Sequence, residues 1–157
     1  MKKILKIFSV LLVLAFIIIQ FINRPEKTSS NEITEDDITR QANLPSDVEK
    51  ILKRSCYDCH SNQTVWPWYS NIAPVSWLVA KDVREGRKDM NFSTWGKLSD
   101  NKKSKLLSEI CDLISENEMP LPIYLIMHSE AKLSDEDKKK LCDWASAELK
   151  KYEKEDE

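Results

Sequence analysis

Two cysteines and a histidine stand close together near the middle of the chain, in the segment Cys56-Tyr57-Asp58-Cys59-His60. Their spacing is that of the C-x-x-C-H pattern of c-type haem attachment. Two thiols separated by two residues can add to the two vinyl groups on one edge of a porphyrin, and a histidine directly after them can bind the iron. The pattern predicts one covalent haem c on Cys56 and Cys59, with His60 as the proximal iron ligand.

Three other kinds of site could use these residues. A redox-active C-x-x-C pair is expected in a thioredoxin-like βαβ context, and no such context is visible. A zinc site needs four nitrogen or sulfur ligands, and it would have to recruit Cys111 or Cys142. A disulfide across two residues is geometrically awkward. We favour haem because a segment typical of exported proteins precedes the motif.

That segment covers residues 1–24. Lys2 and Lys3 precede an apolar run from Ile7 to Ile22, which is interrupted by Ser9 and Gln20. Its length lies between the roughly 7–15 apolar residues of a signal peptide and the roughly 17–25 of a spanning helix, and no A-x-A cleavage site follows. We expect an uncleaved single-pass anchor in the cytoplasmic membrane with the folded domain on the periplasmic side. A cleaved signal and a soluble periplasmic protein is the alternative.

Composition sets the remaining domain boundaries. Residues 25–43 carry few apolar groups and many charges, so we expect a flexible linker. Residues 44–152 form the candidate domain, and residues 153–157 form a charged tail. The chain has a net charge of −2 and its only charges in residues 1–24 are basic, so the rest is acidic and no nucleic-acid partner is expected.

The domain is predicted to be all-α. With only 2 Gly in the chain, turn-rich strand folds are disfavoured. Four helices are predicted from caps and apolar spacing. They run from Ser46 to about Arg54, from Pro74 to about Glu85 with Gly86 as the stop, from Ser99 to about Glu116, and from Ser134, where Asp137 completes a capping-box-like start.

Three blocks of the chain carry a family resemblance: CYDCHSNQTVWPWYSNIAPVSWLVAKDVREGR, NFSTW and EMPLPIYLIMHSEAKLSDEDKKKLCDWA. The chain resembles the haem-binding domain family of bacterial exported proteins. More loosely, Met119-Pro120 and the helix from Ser134 are similar to the end of small class I cytochromes c. The resemblance implies a cytochrome c-like helical domain around one covalent haem and an exported location, and it implies little about the pathway.

A c-type iron usually takes Met or His as its second axial ligand. The candidates are Met90, Met119, Met127 and His128. Met119 ends the third helix and Pro120 makes the following backbone rigid, which suits a ligand presented across the haem from His60. Together with the resemblance, this makes Met119 the expected distal ligand. Met127 is expected in the core, and His128 is the rival ligand.

Several large side chains are candidates for the walls of a haem pocket. Trp and Tyr bury large areas and keep a polar handle, and Arg pairs well with carboxylates such as the haem propionates. For the arginines, the alternative is an exposed charge at a helix end. The pocket candidates are Trp66, Trp68, Tyr69, Trp77, Trp95, Arg84 and Arg87.

Cys111 and Cys142 have two possible roles. Each can be a small buried hydrophobic residue, or the two can pair in an oxidising compartment. The choice depends on their Cα separation, which spacing in the sequence does not give.

The function expected from these features is electron transfer by an exported monohaem cytochrome. The chain shows no catalytic triad, no acid pair of a hydrolase and no second C-x-x-C-H, so an enzyme is not expected. A haem-based gas or redox sensor with a displaceable sixth ligand is the alternative, and a purely structural haem is a third possibility. The expected partners are redox proteins.

Overall fold

The computed structural model describes residues 1–153, and this part of the chain consists of helices and connecting segments without a strand. The prediction of an all-α chain is confirmed. Tail residues 154–157 lie outside the described residues. The α-helices are α1 (Lys2–Ile19), α2 (Ile38–Gln41), α3 (Ser46–Ser55), α4 (Tyr57–His60), α5 (Val75–Asp89), α6 (Asp100–Ser115), α7 (Pro122–Leu125) and α8 (Asp135–Glu153). Shorter 3₁₀ turns cover Trp68–Asn71, Phe92–Lys97 and Ser129–Ala131.

Two of the predicted helix starts are capped as the sequence indicates. The Ser99 side chain accepts a hydrogen bond from the Lys102 amide at the start of α6. At the start of α8, the Asp137 amide donates to Ser134 Oγ at 3.1 Å and the Ser134 amide donates to Asp137 Oδ2 at 3.0 Å. This reciprocal pair satisfies two amides that have no partner inside the helix.

The predicted stop at Gly86 is wrong, because α5 continues through it to Asp89. The glycine serves close packing instead. A Cβ atom at Gly86 would lie 2.7 Å from the backbone oxygen of Cys59. Hydrogen at this position therefore lets α5 approach α4, which carries the C-x-x-C-H motif.

The core lies between α3, α6 and α8. Helices α6 and α8 pack side by side and are joined by a disulfide between Cys111 and Cys142, whose Cα atoms are 5.0 Å apart. This resolves the open question about these two cysteines. Apolar side chains from the three helices and from the turn at Phe92–Lys97 fill the space between them, among them Val48, Leu52, Phe92, Trp95, Leu106, Leu107, Ile110, Leu141 and Trp144.

The N-terminal helix α1 has no buried residue. Three lysines fall among its first five positions, at Lys2, Lys3 and Lys6. Within residues 1–153, no helix is both long enough and apolar enough to cross a membrane. The prediction of a membrane-spanning anchor in residues 1–24 is therefore unsupported by the fold.

The linker predicted over residues 25–43 makes contacts with the domain in this structure. Residues 27–42, here called the N-terminal strap, lie against the domain. Lys27 Nζ donates to Ser70 Oγ at 3.0 Å and to Asn71 Oδ1 at 2.6 Å, and the Ser30 amide donates to the Asn62 carbonyl at 2.7 Å.

The far end of the strap enters the core. Ile38 and Asp37 are almost completely buried. Asp37 Oδ1 accepts hydrogen bonds from the Thr39 amide and hydroxyl, and the Tyr57 hydroxyl lies 3.4 Å from the same oxygen. A mostly polar segment is ordered here because one apolar side chain and one satisfied carboxylate anchor it.

Candidate functional site

A break between two helices positions the side chains of the C-x-x-C-H motif. Helix α3 ends at Ser55, Cys56 adopts φ −127° and ψ −35°, and the short α4 begins directly after it. The His60 amide donates to the Cys56 carbonyl at 2.9 Å, which closes this single turn. As a result, Cys56, Cys59 and His60 all line one cavity of about 220 Å³.

The hydrogen bonds of His60 define its tautomer. Its Nδ1 lies 3.1 Å from the backbone oxygen of Met90, which can only accept, so Nδ1 carries the proton. Burial lowers the pKa of His60, which favours the neutral ring, although hydrogen bonds with the backbone at Met90 and Gly86 oppose this. The lone pair is therefore on Nε2, the arrangement in which a backbone carbonyl orients a histidine that binds a metal.

Both motif cysteines are free thiols with raised pKa values. Burial raises the pKa of Cys56 to about 12, helped by Cys59 and opposed by Arg54. Burial likewise raises the pKa of Cys59 to about 11, helped by Asp58 and Asp82. A redox-active C-x-x-C pair requires the opposite shift, toward the thiolate. These pKa directions do not favour a thiolate at either cysteine.

Met119 shares its surroundings with His60. It lines the cavity of the motif and also a smaller adjoining cavity of about 70 Å³, which His60, Cys56 and core residues border as well. The Glu118 and Met119 amides both donate to the Leu113 carbonyl, at 2.9 and 3.2 Å, so the end of α6 holds this residue in place. The structure thus brings the predicted proximal and distal ligands to the same space.

The other predicted ligand candidates lie differently. His128 is absent from both cavities, and its ring nitrogens face other partners: Nε2 is 2.6 Å from the Tyr69 hydroxyl and Nδ1 is 3.1 Å from Glu130 Oε1. Met127 is 55% exposed, so its predicted core position is wrong. Met90 is half-buried and lines the smaller cavity, and its carbonyl orients His60.

The aromatic candidates are divided between two surfaces. Trp68 and Tyr69 line an apolar groove of about 390 Å³ that reaches Cys59. Trp66 and Trp77 line a separate depression on the surface. Arg84, Arg87 and residues within 23–26 border it as well. Trp95 is fully buried in the core. Three of the cavities described are bordered by motif residues. Of the predicted pocket tryptophans, these three cavities include Trp68 alone.

Arg87 holds the N-terminal strap. Its Nε donates to the Ser61 carbonyl at 2.8 Å, and its two terminal nitrogens donate to Thr28 Oγ1 at 2.7 Å, to the Thr28 carbonyl at 2.8 Å and to Thr64 Oγ1 at 2.8 Å. The guanidinium fork is thus filled by acceptors of the protein itself. In this structure the side chain joins the strap to the loop after the motif, and it does not face the cavity of His60.

Sequence reasoning missed a polar pair beside the motif. Asp58, between the two cysteines, accepts a hydrogen bond from the Tyr124 hydroxyl at 2.8 Å through Oδ2 and from the Val65 amide at 3.0 Å through Oδ1. Burial and the bond to Asp58 raise the pKa of Tyr124, so its hydroxyl stays protonated. Nothing in the spacing of Asp58 and Tyr124 along the chain indicates that they meet.

The donor set fits a haem. Two thiols, an imidazole with a free Nε2 lone pair and a thioether border connected space whose inner wall is apolar. Cysteine thioethers with His and Met axial ligands are the ligation of cytochromes c. Residues 1–153 contain no group of three or more His, Cys, Asp or Glu side chains that could hold a metal ion, so the zinc interpretation has no support.

Comparison with known proteins agrees with this chemistry. The family model of the haem-binding domain matches residues 14–147, which is most of the chain and includes the motif and Met119. No curated protein and no solved structure matches the chain. On the family match, the chain belongs to the haem-binding domain family.

Proposed function

We propose that this protein is an exported monohaem c-type cytochrome that transfers single electrons outside the cytoplasmic membrane. The observation that carries the proposal is that His60 and Met119 line the same two adjoining cavities, next to the two motif cysteines. When bound, the haem would supply a one-electron couple.

The residues of the chain have distinct roles in this proposal. Cys56 and Cys59 would hold the group covalently, and His60 would bind the iron through Nε2. The Met90 carbonyl fixes the orientation of the His60 ring and makes it a stronger donor. The soft thioether of Met119 would favour the reduced state and raise the potential relative to a second histidine.

Export is supported by two features. The disulfide between Cys111 and Cys142 is of a kind that persists in oxidising compartments. The basic and then apolar residues 1–24 have the order of an export signal. We propose an extracytoplasmic domain, which α1 attaches to the membrane surface or which processing releases. Its partners would be redox proteins of the same compartment.

Covalent attachment is tested with two matched double variants. Cys56→Ala with Cys59→Ala should abolish the haem-stained band on a denaturing gel, because no thioether can form. Cys111→Ala with Cys142→Ala also removes two cysteines, and it should keep the band. Extraction of the haem from the native protein by acid–acetone would contradict covalent attachment.

Axial ligation is tested by absorption spectroscopy of the oxidised protein. A thioether–iron bond gives a weak band near the red edge of the spectrum, and Met119→Ala should remove it. The control Met127→Ala should keep it, because Met127 lies outside both cavities. A change in His128→Ala alone would show His128 as the ligand, and fast, tight carbon monoxide binding by the native protein would favour the sensor.

A further inference from the structure

The segment between α6 and α8 carries Met119, and hydrogen bonds on both sides of Met119 fasten this segment to the domain. The first fastening is at the end of α6, where the Leu113 carbonyl accepts hydrogen bonds from the Glu118 and Met119 amides. Asn117 adopts a positive φ of 61°, which turns the chain out of the helix at this point. These contacts fix the chain just before Met119.

The second fastening is Tyr124. Its hydroxyl donates at 2.8 Å to Oδ2 of Asp58, which lies inside the C-x-x-C-H motif. The other oxygen of Asp58 is held by the Val65 amide at 3.0 Å, so the carboxylate has a fixed orientation. A residue five positions after Met119 is thereby tied directly to the helix that carries His60.

The ring of Tyr124 is held as well as its hydroxyl. It stacks on His128 with 4.2 Å between ring centroids and an angle of 11° between the planes. His128 in turn contacts the Tyr69 hydroxyl through Nε2 at 2.6 Å and Glu130 through Nδ1 at 3.1 Å. The stack restricts Tyr124 to the orientation in which it reaches Asp58.

We propose that Tyr124 is a positioning residue for Met119 as the expected distal iron ligand, and that its bond to Asp58 keeps Met119 in the cavities that His60 also lines. This inference rests on the proposed function, because it takes Met119 as the ligand. The geometry behind it is that Met119 and Pro120 lie between two fastenings, one on α6 and one on α4. Without the second one, the stretch from Pro120 to His128 keeps its stack but loses its bond to the motif.

The test is Tyr124→Phe in the haem-loaded full chain, because this change removes the hydroxyl and keeps the ring. We expect the red-edge band to weaken and carbon monoxide to bind the reduced protein about ten- to a hundredfold faster, the range that corresponds to a hydrogen bond to a charged group. The matched control is Tyr152→Phe on α8, far along the chain from the motif, which should leave both readouts unchanged.

Two further measurements separate positioning from general stabilisation. In Tyr124→Phe, amide hydrogen exchange should speed up over residues 120–128 and stay unchanged in α6 and α8, whereas faster exchange throughout would overturn the inference. In the Asp58→Ala background, Tyr124→Phe should add little to the carbon monoxide rate, because Asp58→Ala has already removed the acceptor of the Tyr124 hydroxyl. Full additivity of the two changes would overturn it too.

The inference and the proposed function fail in different ways. If Met119→Ala removes the band while Tyr124→Phe leaves both the band and the carbon monoxide rate unchanged, this inference is overturned and the proposed function stands. If the native protein keeps the haem-stained band but shows no thioether–iron band, this inference is overturned together with Met119 as the ligand, and electron transfer by a covalent haem stands.

Discussion

At Gly86, the backbone of α5 approaches the backbone of Cys59 closely. In an open helix, replacing Gly by Ala stabilises by about 0.5–1 kcal/mol. Here the added methyl group would lie 2.7 Å from the Cys59 carbonyl oxygen, which is backbone and cannot move away freely. We therefore predict the opposite sign for Gly86→Ala, a loss of about 1–3 kcal/mol in the free energy of unfolding, measured by urea denaturation.

The control for this prediction is Lys88→Ala, an exposed position two residues further along α5. It should leave the free energy of unfolding nearly unchanged. A more stable Gly86→Ala variant would show that α4 and α5 can separate without cost, and that the glycine is not required by packing.

At the residue scale, the sequence predicts what is local. The two cysteines and His60 are recognised because their chemistry is compressed into five consecutive positions. Asp58 and Tyr124 could not be paired, because the residues that meet are far apart in the chain and neither type is unusual. By its chemistry Arg87 is a candidate either for a haem propionate or for an exposed charge at a helix end, and the backbone and threonine oxygens that it contacts carry no signal in the sequence.

At the scale of elements, the cap at the start of α8 contributes a stability that depends on pH. Desolvation raises the pKa of Asp137, but hydrogen bonds from Ser134 and Arg54 outweigh this and leave the pKa below its usual value. The Arg54 nitrogen lies 2.9 Å from the carboxylate and connects α3 to α8. A carboxyl group with a lowered folded pKa contributes stability above its unfolded pKa of about 3.9, and this is lost as the pH falls through the folded value.

We therefore predict that Asp137→Asn lowers the free energy of unfolding by about 1 kcal/mol at pH 7. The difference from wild type should shrink toward zero in acid, because the native carboxyl group is then protonated. Denaturant curves of both proteins at pH 7 and in acid measure this difference in the free energy of unfolding. Asp112→Asn, an exposed position on α6, should change little, and an equal effect of Asp137→Asn at both pH values would contradict the electrostatic explanation.

Helices were predictable where one face is apolar over several turns and a cap precedes it, as in α3, α6 and α8. The strap was not, because its average composition is that of a disordered chain. Its order depends on Ile38 and Asp37, which find a hydrophobic site and hydrogen-bond partners in residues distant in sequence. From sequence alone, Gly86 is expected to end α5, because a glycine after a helical pattern is a common end. The pattern does not show that this glycine instead faces the backbone of Cys59.

At the scale of the whole molecule, the disulfide between α6 and α8 closes a loop with a sequence separation of 31. A crosslink of this span restricts the unfolded chain and stabilises the fold by about 3–4 kcal/mol. We predict a loss of up to this size in Cys111→Ser with Cys142→Ser, measured by urea denaturation.

The control uses a reductant during unfolding. Dithiothreitol should lower the midpoint of the wild type and leave the double serine variant unchanged, while thioether bonds to a haem resist it. A wild-type midpoint that is independent of the reductant would show that the pair does not contribute. The sequence left this pairing open because only the folded arrangement of α6 and α8 brings the two Cα atoms to 5.0 Å.

The strap determines which contacts would remain after a proteolytic cut that removes α1. A cut before Lys27 would release α1 and leave the contacts of Arg87 with Thr28 intact. A cut near Asn31 would remove Thr28 and with it two acceptors of Arg87, one of which, the Thr28 carbonyl, also accepts from the Trp66 indole. Once the strap is docked, these bonds also hold the peptide away from a protease. If the proposed export includes cleavage, processing and folding would compete for the same few residues, and the earlier of the two events would decide the N-terminus of the processed domain.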